Sequence, residues 1–491
     1  MPKQKKLNIA VIGAGFAGLS AAALLAKDGH QVTLYEKNNS IGGRARLFAE
    51  QGFVFDMGPS WYWMPEVFEN FYNRFGYTAA DFYELKRLDP SYKVFWQDNS
   101  NWDIPAELNQ LSHLFEKYEK GSGKRLEAFM LECKTKYEAG MQKFVWKPSL
   151  SITEFADLQL LKEVFKMALF KSVSKNIRKY FSHPKLIELL EFPVLFLGAK
   201  PNETPALYTL MNYADMGLGT WYPMGGMHQI IKAFEKIAIE QGVTIKTNSP
   251  IESVIITEKS IQQIVINNQR IEVDKVVCAA DYHFFEQNIV PASHRTYTPN
   301  YWETRTMAPS SLLFYLGLDK KIEGLQHHNL FFDKDFTAHA EEIYTTHAWP
   351  KDPLFYACCP SKTDPTVAPE GSENLFILIP VSTYIKDDKA LHQQYLDKVI
   401  ERMERLTKQE IRSHIVYQRS YAHQDFIDDY NAYRGNAYGL ANTLKQTAFL
   451  KPKMTSKKID NLVYTGQLTV PGPGMPPSII SGQLAASLIN L

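Results

Sequence analysis

A chain of 491 residues is longer than one hydrophobic core usually covers, so two domains are expected. A hydrophobic share of 45%, a charged share of 22% and a net charge of +1 describe a globular protein with no overall attraction to nucleic acid. The four cysteines (Cys133, Cys278, Cys358, Cys359) show neither C-x-x-C spacing nor a disulfide framework, no metal-ligand spacing is visible, and no run approaches the roughly 18 apolar residues of a membrane span. The opening Met-Pro-Lys-Gln-Lys-Lys enters the first strand at once. The expectation is therefore no signal peptide and a cytoplasmic protein, soluble or peripheral on the membrane.

Residues 9–37 read IAVIGAGFAGLSAAALLAKDGHQVTLYEK: a buried strand, a glycine turn, a small-residue helix and a second strand. This pattern binds a dinucleotide. Gly13 permits the tight turn, Gly15 lets backbone approach a pyrophosphate, and Gly18 lets the helix pack on the strand, with Ala14, Phe16 and Ala17 completing the contact surface. Glu36, followed by Lys37, ends the second strand. Its carboxylate can accept from both ribose hydroxyls and would repel a 2′-phosphate, so NADP is disfavoured.

Next in the chain, Gly42-Gly43-Arg44 supplies more backbone and a guanidinium for the outer side of the pyrophosphate. The run Ile41 to Arg46 resembles the second nucleotide motif of the large flavoprotein family that includes monoamine oxidases, protoporphyrinogen oxidases and carotenoid desaturases. That resemblance implies FAD. It also implies an α/β fold: a Rossmann-like FAD-binding domain of the glutathione reductase and p-hydroxybenzoate hydroxylase type, discontinuous in sequence, beside a mixed α+β substrate domain. Gly58, Pro59 and Ser60 would then lie near the isoalloxazine, a plain β-turn being the alternative.

The FAD-binding pieces are expected at residues 1–75, 222–290 and 455–491, with substrate-domain pieces at 76–221 and 291–454. In the middle piece, helix His228 to Gln241 precedes strands Val243–Lys246, Ile251–Thr257, Ile261–Ile266 and Val273–Ala280, and Val254 is carried over from the family as a backbone contact beside the adenine. The first substrate piece reads as largely helical. The second carries strands Ser311–Leu318 and Asn374–Pro380, helix Lys389–Leu406 and strand Ser413–Tyr417. In the last piece a strand ending at Gly466 leads to a rigid loop, Pro471 to Pro477, and a closing helix, Ser478 to Leu488. Gly472, Gly474, Met475 and Pro476 should border the flavin ring, with the helix dipole at its pyrimidine edge.

Three stretches narrow the resemblance to the bacterial phytoene desaturase type: Met57 to Pro65, Leu207 to Met227, and Gly466 to Gly482 with its P-G-x-G core. The implied activity is desaturation of phytoene and its partly desaturated products, by hydride transfer to flavin and proton loss. A 1-hydroxycarotenoid 3,4-desaturase, a redox-neutral carotene isomerase, a flavin amine oxidase and a non-enzymatic carotenoid carrier are the alternatives. Such a reaction needs little acid–base machinery, which suits the lack of any motif among the 13 histidines. Glu154 is the one carboxylate the resemblance suggests as a base, the alternative being an exposed helix-starting carboxylate. A C40 hydrocarbon dissolves in the bilayer, and Leu158 to Phe181 reads as a basic amphipathic helix able to lie on a membrane surface: Leu158, Leu161, Phe165, Ala168 and Leu169 against Lys162, Lys166, Lys171, Lys175, Arg178 and Lys179. An ordinary core-facing helix is the competing reading.

Overall fold

The computed structural model describes residues 5–151, 154, 171–195, 198–443 and 445–491. Five parallel strands form the sheet around the glycine turn, in the spatial order Leu462–Tyr464, Lys275–Cys278, Asn8–Ile12, Gln31–Tyr35 and Thr244–Lys246. They come from three separated stretches, because each parallel neighbour requires a long crossover. Ile9, Ala10, Val11 and Ile12 are all buried, as a central strand covered on both faces must be.

Helix Phe16–Lys27 lies between this sheet, helix His228–Glu240 and the closing helix Met475–Ile489. Its small residues permit that: Ala21, Ala22 and Ala23 are fully buried. At Gly482 the closing helix touches so closely that a Cβ would fall 2.3 Å from the Ala17 carbonyl oxygen. This helix starts at Met475, three residues before the expected Ser478, with Pro476 and Pro477 inside its first turn. Proline is tolerated there, since first-turn N–H groups have no helical partner and its φ is already helical.

A three-stranded antiparallel sheet, Ile251–Thr257, Ser260–Ile266 and Gln269–Glu272, follows the middle of the chain. The expected strand Val273–Ala280 is shorter, Lys275–Cys278, and Gln269–Glu272 was absent from the expectation. Asn267 and Asn268 both adopt positive φ, at 50° and 58°, and close a two-residue hairpin that carries the chain back antiparallel.

The second large sheet has seven strands in the order Ile415–Tyr421, Ser310–Leu318, Glu373–Val381, Phe355–Cys358, His328–Phe332, Tyr92–Trp96 and Asn101–Ile104. Ser310–Leu318 is buried at every position. Helix Lys389–Thr407 covers one face, burying Tyr395, Leu396, Val399, Ile400 and Met403 against Leu312, Phe314 and Leu316. The hairpin Tyr92–Ile104 belongs to a stretch expected to be largely helical. All five residues Tyr92–Trp96 are buried, Tyr92, Val94 and Trp96 in one apolar cluster and Phe95 in another, as in a strand covered on both faces. The expected strand Ser413–Tyr417 runs instead from Ile415 to Tyr421.

Most of the expected amphipathic helix, residues 158–170, lies outside the described residues. Its last part, 171–181, does not continue one helix. Ser172 makes an isolated bridge to Pro205, and its Oγ accepts from the Lys175 N–H at 3.2 Å, starting a five-residue helix, Val173–Ile177. Val173, Ile177 and Phe181 are buried and Arg178 pairs with Glu191, so these apolar residues face the protein and not a bilayer. Among the described residues no helix is long and apolar enough to cross a membrane. All four cysteines are buried free thiols.

Candidate active site

The two glycine turns meet backbone to backbone. Gly13 has φ +100°, and a Cβ there would lie 2.9 Å from the Ala280 nitrogen. At Gly18 a Cβ would lie 1.9 Å from the Gly13 oxygen, so only glycine lets this helix reach its strand. A Cβ on Gly43 would stand 3.3 Å from Gly15 Cα, and the Gly42 N–H donates to the Ala14 carbonyl at 2.8 Å. Ala14, Phe16 and Ala17 are buried beneath the turn, with Phe16 edge-on to Phe234.

Glu36 is buried at the end of its strand, accepting from the Ala14 N–H and the Asn38 N–H, each at 2.9 Å. A carboxylate has about four acceptor positions, so two are left for a ribose diol. Lys37 turns away and donates to the Asp428 carbonyl. Val254 lies in the three-stranded sheet, buried in the same apolar cluster as Ile12 and Tyr35.

Arg44 is the clearest sign of an anion-binding site. One terminal nitrogen donates to the Asn436 carbonyl at 3.1 Å and the guanidinium lies 5.0 Å from the Tyr430 ring centre, yet its buried Nε has no partner. An unpaired buried donor costs about 1–3 kcal/mol, which a phosphate oxygen would relieve. Asp281 sits nearby, its carboxyl pushed up to about 6 by burial, with Arg44 opposing the rise. A Cβ on Gly58 would lie 2.7 Å from the Arg44 carbonyl oxygen, so Gly58-Pro59-Ser60 is locked to the pyrophosphate turn. From the other side, the Gly466 N–H donates to Ser481 Oγ at 3.0 Å, and a Cβ on Gly466 would lie 3.9 Å from Ala17 Cβ. Gly474, at φ +111°, caps the helix that Met475 and Pro476 begin. The glycine cradle, the orphaned guanidinium nitrogen and the buried carboxylate fit the pyrophosphate and ribose of FAD.

Beyond Ser60 lies an apolar cavity of about 70 Å³ against the seven-stranded sheet, walled by Phe192, Leu330, Phe332, Tyr356, Leu378 and Tyr438 among others. It abuts the cofactor cleft. The Tyr356 hydroxyl donates to Ser60 Oγ at 3.0 Å and sits 2.6 Å from His328 Nδ1. On the other side Tyr438 precedes Gly439, where a Cβ would lie 2.9 Å from the Gln467 oxygen. His328 stacks on Trp61 at 4.0 Å, and burial holds its imidazole well below the usual range, hence neutral. The ligand atoms of His327, His328 and Cys358 all lie within 4.8 Å of one another, and all three residues are buried. Burial lowers both imidazoles and pushes the Cys358 thiol up to about 12, so the three side chains are uncharged at neutral pH. Tyr356 and His328 were not among the expected site residues. The adjacent His327-His328 pair was the available signal, but only strand pairing brings Tyr356 beside it.

Glu154 accepts from the N–H groups of Ser149, Leu150 and Ser151 at 2.9, 2.7 and 3.1 Å, which closes a loop. A general base contributes about 10²–10⁴-fold to rate. Glu154→Gln is therefore expected to slow flavin reduction less than about tenfold; a loss inside that range would make Glu154 the base.

A parallel sheet with opposed glycine turns, an acidic strand end and an apolar cavity against the flavin loop defines an FAD-dependent oxidoreductase. The profile of flavin containing amine oxidoreductases matches residues 16–490, and the chain belongs to that family, in its carotenoid desaturase branch. It is 38% identical over 483 residues to a carotenoid 3,4-desaturase of Haloarcula japonica, covering 98% of each chain. It is 30% identical over 490 residues to a 4,4′-diapophytoene desaturase (4,4′-diaponeurosporene-forming) of Staphylococcus aureus, covering 97% of each. The fold is also that of a redesigned putrescine oxidase, with a TM-score of 0.63 at 12% identity over 99% of this chain and 100% of the other.

Proposed function

We propose that the protein desaturates a carotenoid, removing two hydrogens from adjacent saturated carbons beside a conjugated polyene. The apolar cavity abutting the flavin loop carries this reading, together with two relatives whose names describe carotenoid desaturases. Bound FAD supplies the hydride acceptor. The chain's own residues hold the nucleotide through Glu36, Arg44 and the glycine turns, align the hydrocarbon between aromatic and aliphatic walls, and exclude water. After hydride loss the positive charge spreads over the polyene, and the neighbouring C–H becomes acidic enough to pass its proton to a weak acceptor. The neutral imidazole of His328, its Nδ1 2.6 Å from the Tyr356 hydroxyl on the cavity wall, is a group there that can take it.

The higher identity to the 3,4-desaturase favours a substrate that is already conjugated and still saturated near one end; phytoene is the second reading. Expression in cells that make either substrate separates them. The first reading predicts a red-shifted product only from the conjugated carotenoid, and conversion of phytoene alone would replace it.

Such a substrate resides in lipid, so peripheral membrane binding follows as part of the proposal, supported by the lysine-rich 158–181 sequence. Flotation with anionic liposomes at low salt should carry the protein to the lipid layer, and released protein at high salt should sink. Protein left unbound at low salt would remove this element.

A further inference from the structure

Two buried polar groups that the FAD site described above does not use point at one loop. Lys451 and Asn442 are 3% and 2% exposed, and Lys451 Nζ and Asn442 Oδ1 have no hydrogen-bond partner. Both approach Gly472. A Cβ built there would lie 3.4 Å from Lys451 Nζ and 3.6 Å from Asn442 Oδ1, at a φ of +137°. Among the described residues no carboxylate pairs with Lys451, whereas nearby Lys453 already donates to the Ser149 carbonyl at 2.7 Å. Burial lowers the Lys451 ammonium to about 8, which leaves it largely charged at neutral pH. A buried cation without a counter-charge is strongly unfavourable, so this site is built for a ligand that carries or acquires negative charge.

The loop at Gly472 runs directly into helix Met475–Ile489, whose N-terminus adds a positive field. A donor and an acceptor side by side also match the pyrimidine edge of a flavin, where a ring nitrogen and carbonyl accept and the imide N–H donates. We propose that Lys451 and Asn442 clamp the pyrimidine edge of the FAD ring, the ammonium donating to the N1–C2 carbonyl side and the amide oxygen accepting from the imide N–H. Gly472 is then glycine because any side chain would enter the space the ring edge needs. Lys451 is a positioning and electrostatic residue: it stabilises the ring's reduced, negatively charged form over the oxidised one and so makes the cofactor a better electron acceptor.

The clamp rests on FAD as cofactor but not on the identity of the substrate, and its test needs no turnover. The midpoint potential of the purified holoenzyme is measured by anaerobic dye-linked reduction, for wild type, Lys451→Met and Lys451→Arg. Lys451→Met should weaken the hold on the electron pair tenfold to hundredfold, a fall of about 30–60 mV for a two-electron couple. Lys451→Arg should recover most of it, which a merely structural lysine would not explain. If Lys451→Met retains too little FAD to titrate, Lys451→Gln is measured instead, with the same fall expected. A potential within about 10 mV of wild type in the charge-removing variant, well under the 30 mV of a tenfold change, would overturn the assignment. An unchanged potential with a raised KM would place Lys451 on the substrate, and also overturns it.

Discussion

Glu36→Arg is expected to give a folded but colourless protein, with FAD affinity reduced at least about a hundredfold. Glu36 anchors the phosphate turn through the Ala14 N–H and keeps free acceptor positions for the ribose. Hydrogen bonds to a charged group are worth about 1.5–3 kcal/mol each, so losing two to the ribose removes about 3–6 kcal/mol of binding. Arginine has donors only and cannot accept from the ribose hydroxyls or from the turn N–H. Glu36→Gln retains one acceptor oxygen and should bind FAD at an intermediate level. Flavin content from the visible spectrum, set against far-ultraviolet circular dichroism, checks the result. Full yellow colour in Glu36→Arg would mean that another group binds the ribose.

The second large effect separates two glycines three residues apart. Gly18→Ala places a methyl 1.9 Å from the Gly13 oxygen, a backbone atom that cannot swing aside. The helix must leave its strand, at a cost of about 3 kcal/mol or more, and both stability and FAD binding should be lost together. At Gly15 the nearest atom to a new Cβ is Gly43 Cα at 4.0 Å, so Gly15→Ala has room in the protein itself. It should keep a melting temperature close to that of cofactor-free wild type while losing FAD, because its methyl enters the space reserved for the pyrophosphate. Thermal melts of cofactor-free protein tell the two apart: equal Tm values for the two variants would contradict these separate roles.

The cofactor cleft was legible because its chemistry is local. Gly13, Gly15, Gly18, Glu36, Gly43 and Arg44 lie within one strand–turn–helix–strand unit and the turn after it, where spacing alone sets contact. The clamp was not legible: nothing about Lys451 in sequence says that it is buried or that Gly472 sits beside it. Tyr356 and His328 likewise meet Ser60 only through pairing within the seven-stranded sheet. Boundary differences have local causes. Pro476 and Pro477 looked like loop residues, yet a helix's first turn needs no N–H from them. In the basic stretch ending at Phe181, the Ser172 side chain starts a five-residue helix whose apolar residues Val173 and Ile177 are buried.

Anaerobic mixing of the holoenzyme with a conjugated carotenoid in liposomes tests the central claim most directly. The flavin's visible absorption is expected to bleach, with a matching amount of product whose polyene absorption is shifted to longer wavelength. A flavin that stays oxidised while the carotenoid is bound, or changes only its geometry, would contradict it.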